Sequence, residues 1–164
     1  MYYSQNPPGQ DEWVHSIVGN QTLGTFLDVG CSDWREINNT LFFERNYEWR
    51  GIGIDVDDAH RAGWIQNRQS RFLCCDATTL DYATLNLPPI VDYLSVDLEP
   101  PTLSLVALER ILASGLRFRL ITYETDAYRE PTTREPSRRM LTEAGYTLAK
   151  EGKQDDFYTH PELL

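Results

Sequence analysis

The chain has 164 residues, 41% hydrophobic and 24% charged, the size and composition of one ordinary globular domain. Lys and Arg number 15 against 25 Asp and Glu, and the net charge of -10 argues against a nucleic-acid backbone or an anionic membrane as partner. No apolar run approaches the ~20 residues of a membrane-spanning helix. The opening MYYSQNPPGQDEW has neither the basic start nor the apolar core of a signal peptide, so a cytoplasmic protein is expected.

Residues 1–10 read as a loosely attached lead, because Pro7, Pro8 and Gly9 block regular structure. Asp11 and Glu12 then open a short helix with Trp13, Val14, Ile17 and Val18, one face of which is expected against the first strand. Residues 1–22 are thereby set apart from a main domain over 23–164. The stretch TFLDVGCSDW, 25–34, reads as a buried strand that turns through Gly30 into a small polar loop. There Gly30, Cys31 and Ser32 let backbone come close to a bound molecule. Asn38 or Asn39 caps a helix through Leu41, Phe42 and Arg45 to Tyr47. The second strand, RGIGID, ends at Asp55, an acid placed to accept both hydroxyls of a ribose.

Asp57 or Asp58 caps the next helix, strand three spans 71–75 before Asp76, and Pro88 and Pro89 stop a short helix or turn over 80–87. Strand four, 91–98, is apolar enough to sit centrally, and a helix over 103–113 stops at Ser114 and Gly115. Strand five, 118–123, leads to Glu124 and Asp126, and the two-proline loop 127–136 is long enough for a substrate lid. Ser137 caps a last helix, and strands over 146–149 and 157–159 close the chain as a hairpin. Strands alternating with helices predict an α/β protein, with a mostly parallel sheet, helices on both faces and one antiparallel strand.

Cys31, Cys74 and Cys75 lack the spacing of a zinc site or a disulfide framework and read as small residues in a reducing compartment. His15, His60 and His160 have no partner at metal-ligand spacing and read as surface residues, His160 being the best candidate base among them. The most informative pattern is a carboxylate at successive strand ends: Asp28, Asp55, Asp76, then Asp97 with Glu99, then Glu124 with Asp126. A helix cap is the bland role for any one of them. Their recurrence favours a shared crevice outside the carboxyl ends of the strands, where such sheets bind ligands. A nicotinamide-dependent oxidoreductase is the weaker reading, since the first loop lacks Gly-x-Gly-x-x-Gly and Asp33 would repel a pyrophosphate.

The succession LDVG, GIGID, CCDAT, VDYLSVDLE, ITYETD and GYTLAKEG…DDFYTHPEL, over 24–162, resembles the FkbM-type family of S-adenosylmethionine (SAM)-dependent methyltransferases. The resemblance implies a class I methyltransferase (Rossmann-like) three-layer sandwich with a seven-stranded sheet, and methyl transfer to a hydroxyl of a sugar or other small molecule. By position, Asp28, Gly30, Cys31 and Ser32, with Asp33 in the same loop, would wrap the methionine and ribose of SAM. Asp55 would take the ribose hydroxyls, Val56 would lie against adenine, and Asp76 with Ala77 would face its amino group. Asp97, Glu99 and Glu124 would line the acceptor pocket as catalytic acids. Asp97 and Glu99 have the oxygen ligands that suit a divalent cation such as magnesium. Two departures stand out: Trp34 where the family places glycine, expected to narrow the cofactor entry or stack on it, and Pro100-Pro101 after Glu99. They also suit a catalytically weak accessory protein.

Overall fold

The apolar runs of the sequence become strands, and most turn residues stop them where expected. The computed structural model describes residues 1–5 and 9–164. The chain divides into two compact units, Met1–Ala77 and Thr78–Leu164.

The first unit holds helices α1 (Gln10–Val18), α2 (Leu41–Tyr47) and α3 (Arg61–Asn67), with strands β1 (Thr25–Val29), β2 (Arg50–Asp55) and β3 (Arg71–Cys74). Phe26, Leu27 and Val29 of β1 are fully buried. β1 and β2 pair in parallel from Thr25↔Arg50 to Val29↔Ile54, so Gly30 and Asp55 leave the sheet side by side. The N-cap of α2 is Thr40 rather than Asn38 or Asn39, and Asn38 leads into it, its Oδ1 accepting from the N–H of Thr40 (3.1 Å) and of Leu41 (2.9 Å). Asp57 accepts from Ala59 N at 2.9 Å and opens the 3-10 turn Asp58–His60 that runs into α3.

The expected loose lead is corrected. Tyr3 N and Ser4 N donate to Asp11 Oδ2 at 2.6 and 3.2 Å, and Ser4 Oγ donates to Asn39 Oδ1 at 2.8 Å. Asp11 is buried and turns its carboxylate to these amides, which holds the described start of the chain down. Pro7 and Pro8, part of the reason for that expectation, lie outside the described residues. Helix α1 meets α2 through the His15 ring, 4.9 Å from that of Phe42 and 5.4 Å from that of Tyr47, and Ile17 is exposed.

The second unit holds β4 (Ile90–Val96), α4 (Pro101–Ala113), β5 (Arg117–Glu124), α5 (Arg134–Glu143), β6 (Thr147–Glu151) and β7 (Asp155–Thr159), with a 3-10 turn at Tyr82–Leu85. β4 and β5 are parallel, whereas β7 runs antiparallel to both β5 and β6. Together the strands form a seven-stranded sheet of order β3-β2-β1-β4-β5-β7-β6, mostly parallel with one antiparallel strand and with β4 at its centre, as the alternation predicted.

Strand β4 ends at Val96 instead of residue 98, β6 and β7 reach further toward each other than expected, and two helices start early. Helix α5 begins at Arg134 rather than after Ser137, because Pro136 falls in its first turn, where a backbone N–H has no helical partner to lose. Ser137 is buried inside the helix and donates to Arg134 O at 2.8 Å, so the presumed lid 127–136 shrinks to the turns before Arg134. Arg134 Nη2 fastens that end to Gly152 O at 2.8 Å. Helix α4 likewise starts at Pro101, two residues early, with proline at the first helical position. Among the described residues no helix is long and apolar enough to cross a membrane.

Candidate active site

In the first unit, Gly30 takes φ +84°, a left-handed conformation natural to glycine. Its N–H and that of Cys31 donate to Ile54 O at 2.9 and 3.1 Å, which closes the turn onto β2. Ser32 also takes a positive φ, +48°, and its N–H donates to Asp55 Oδ2 at 2.9 Å. Asp57 N donates to Asp55 Oδ1 at 2.9 Å. Both oxygens of this half-buried carboxylate are thereby oriented, and each keeps a further lone pair. Val56, next in the chain, is 74% exposed. Asp76 is exposed and Ala77 buried after β3.

The remaining acids of the loop do local work. Asp33 Oδ1 accepts from Arg35 N and Glu36 N, both at 2.8 Å, a turn-capping role. Asp28 is buried and accepts from Thr40 Oγ1 at 3.0 Å. Thr40 Oγ1 accepts in turn from Arg68 Nη2 at 3.0 Å, and Arg68 Nη1 donates to Asn38 Oδ1 and to Trp34 O at 3.1 and 3.2 Å. Arg68 Nε lies 3.2 Å from Glu44 Oε2, within ion-pair range but off hydrogen-bond geometry. Burial lowers the pKa of Arg68, while Glu44 and Asp28 act to raise it. Asp28 thus serves as a counter-charge beneath the loop. Burial, then the charges of Asp28 and Asp55, push the Cys31 thiol well up, which leaves it a neutral filler and a poor nucleophile.

Trp34 braces this loop against α3. Its ring lies so close over Gly63 that a Cβ there would come within 2.5 Å of Trp34 Cδ1, and Arg45 sits 5.6 Å from the ring centroid.

In the second unit the pair Val96↔Tyr123 brings the next residues, Asp97 and Glu124, together. Burial first, then the hydrogen bond and charge of Asp97, with Asp126 and Glu99 behind them, pushes the Glu124 carboxyl up to about 10. At neutral pH these two carboxyls therefore hold one proton. Asp126 has φ +43° and is 1% exposed. Its Oδ2 accepts from Arg129 Nη1 at 3.0 Å, and the same nitrogen reaches Glu99 Oε1 at 2.9 Å. Pro101 is buried at the start of α4, and Ser104 Oγ of that helix accepts from Leu98 N at 2.9 Å, holding the Asp97–Glu99 turn.

The histidines need one correction. His160, expected at the surface, is 5% exposed, with Nε2 3.1 Å from Arg117 Nη2 and its ring edge-on to Tyr146 at 5.0 Å. His15 lies between the hydroxyls of Tyr2 and Tyr47, at 2.7 and 2.9 Å. Among the described residues no group of three or more His, Cys, Asp or Glu is arranged to hold a metal ion. Sequence reasoning missed Arg129 as a member of the acid cluster. Its i,i+3 spacing from Asp126 was the available signal.

No family model and no curated protein matches the chain. Solved structures do. A protein from Clostridium thermocellum described as an rRNA methylase is 13% identical at a TM-score of 0.66, with 96% of each chain covered. The METTL16 methyltransferase domain is 19% identical at 0.60, over 93% of this chain and 65% of that one. The N-methyltransferase NodS from Bradyrhizobium japonicum WM9, in complex with S-adenosylhomocysteine (SAH), is 15% identical at 0.56, over 93% and 85%. The likeness establishes the fold as the Rossmann-like α/β fold of class I SAM-dependent methyltransferases.

Proposed function

We propose that this chain is a SAM-dependent methyltransferase acting on a small acceptor that carries an O–H or N–H. The observation that carries this reading is Asp55, whose two oxygens are aimed by Ser32 N and Asp57 N at the carboxyl end of β2, beside the Gly30 turn. Two fixed acceptors with free lone pairs fit the vicinal hydroxyls of a ribose. Exposed Val56 offers an apolar face for adenine, with Asp76 and Ala77 assigned to its amino group. Gly30, Cys31 and Ser32 line the methionine side, and the negative charge of Asp33 favours a cationic sulfonium over a pyrophosphate.

SAM, when bound, supplies a methyl group on that sulfonium. The chain supplies alignment and a place for the acceptor proton. Asp97 accepts that proton while protonated Glu124 hydrogen-bonds to it, and Glu99 lines the pocket. Glu99 Oε1 accepts from Arg129 Nη1 at 2.9 Å, so the proton chemistry is assigned to Asp97 and Glu124.

The FkbM-type resemblance supports a sugar hydroxyl as acceptor, whereas the N-methyltransferase among the similar structures supports nitrogen. Trp34 on Gly63 and Pro101 at the head of α4 have packing roles, which speaks against an accessory protein without catalysis.

Titration calorimetry with SAH tests this. Wild type is expected to bind, and Asp55→Asn, which keeps the shape but loses the charge, to bind about 10- to 100-fold more weakly. No binding by wild type at millimolar SAH overturns the reading.

A further inference from the structure

The acid cluster of the second unit contains its own cation. Arg129 is half-exposed, yet one nitrogen of its guanidinium is shared between Glu99 Oε1 and Asp126 Oδ2. Glu99 is as exposed as Arg129, so that side of the bridge is weak and exchangeable. Asp126 is fixed: its N–H donates to Gln154 O at 3.2 Å, and its C=O accepts from Arg129 N and Glu130 N at 2.7 and 2.9 Å. Asp126 Oδ1 is buried and has no hydrogen-bond partner. A carboxylate so placed has lost water from both oxygens and regained a bond on one. The carboxyls of Glu99 and Asp126 thus share a single guanidinium, the charges of Asp126 and Glu99 also act on the Glu124–Asp97 pair, and the buried member, Asp126, keeps unused acceptor capacity.

We propose that the acceptor carries a cationic nitrogen, a primary ammonium or a guanidinium, and that Arg129 occupies its position between Glu99 and Asp126 until it arrives. The word acceptor rests on the methyltransferase reading; the cation site itself does not. A neutral hydroxyl compound brings no charge to replace that of Arg129, and displacing Arg129 by it leaves Asp126 buried and unpaired. An incoming ammonium keeps the charge balance and brings three donors, enough for Glu99, Asp126 Oδ2 and the orphan Oδ1.

The test is calorimetric binding to the cofactor-free protein of two probes matched in carbon skeleton, phenethylamine and 2-phenylethanol, with agmatine as the guanidinium probe. An amine or guanidine probe is expected to bind about tenfold or more tightly than the alcohol. Arg129→Ala is expected to tighten that binding about tenfold, since the internal competitor is gone, and Asp126→Asn to weaken it by as much. Thermal melts verify folding; if Asp126→Asn does not fold, the Arg129→Ala comparison decides alone. The proposal is overturned if the alcohol binds as well as the amine, if Arg129→Ala weakens amine binding, or if no cationic probe binds at tens of millimolar. SAH titration is a separate measurement, so loss of the methyltransferase reading and loss of the cation site are told apart.

Discussion

Glu124 is the residue whose protonation couples the candidate chemistry to stability. Its carboxyl is raised from an ordinary 4.5 to about 10, by burial first and by Asp97 next. Between those values the folded chain holds a proton that the unfolded chain has released. This contribution to stability is therefore complete below about pH 4.5 and is lost progressively as pH rises toward about 10. Glu124→Gln keeps an N–H donor for Asp97 and removes the loss. The variant is expected to match wild type near pH 4 and to exceed it by about 2 kcal/mol at pH 8, after discounting for the share of the proton that Asp97 takes. Denaturant melts at the two pH values check this, and parallel curves would show that the pair holds no shared proton.

At the scale of elements, the loop after β1 depends on α3. Gly63→Ala gains about 1 kcal/mol of helix propensity but drives a methyl group to within 2.5 Å of the Trp34 ring. Trp34 must shift, and Arg68, which holds Trp34 O at 3.2 Å, shifts with it. A net loss of about 1 kcal/mol and several-fold weaker SAH binding are expected, and in Trp34→Ala, where the clash is gone, Gly63→Ala is expected to cost nothing further. Losses in denaturant melts that simply add in Trp34→Ala/Gly63→Ala would remove the brace. Such a contact is not legible in sequence, where Trp34 is only a bulky residue in a loop. Strand ends are legible, because apolar runs stop at turn residues and carboxylates. Which way a carboxylate faces is not. Asp28 shares a strand face with Phe26, and its role depends on Arg68, whose guanidinium lies 5.9 Å from the Phe26 ring and reaches Thr40 beside it. Asp55 shows the converse, since nothing in RGIGID specifies the amides of Ser32 and Asp57 that aim it. The buried His160 was missed for the same reason: Arg117 and Tyr146, which enclose it, are distant in sequence.

For the whole molecule the question is whether a chain of charge -10 acts on RNA, as the Clostridium thermocellum protein is described to do. An average charge does not decide it, because a local basic patch can override the mean. The sequence holds one such cluster, Arg129, Arg134, Arg138 and Arg139. Three of its four guanidinium groups are already engaged by carboxylates. Arg129 is paired with Glu99 and Asp126, Arg134 with Glu151, and Arg138 with Asp156 through two bonds at 2.7 and 3.0 Å. The hydrogen bond to Asp156, and behind it the charge of Asp156 and the bond and charge of Glu151, raises the pKa of Arg138 against the opposing effect of burial. A phosphate would have to displace buried Asp156 to reach it, which leaves an uncompensated charge. Weak RNA binding with a shallow salt dependence is therefore expected, corresponding to about one phosphate contact, from Arg139. Affinity for a structured RNA across a salt series measures it. A slope of log K against log salt corresponding to about six or more phosphate contacts would place the acceptor on RNA after all. A slope near zero leaves a small cationic molecule as the partner that the surface charge attracts.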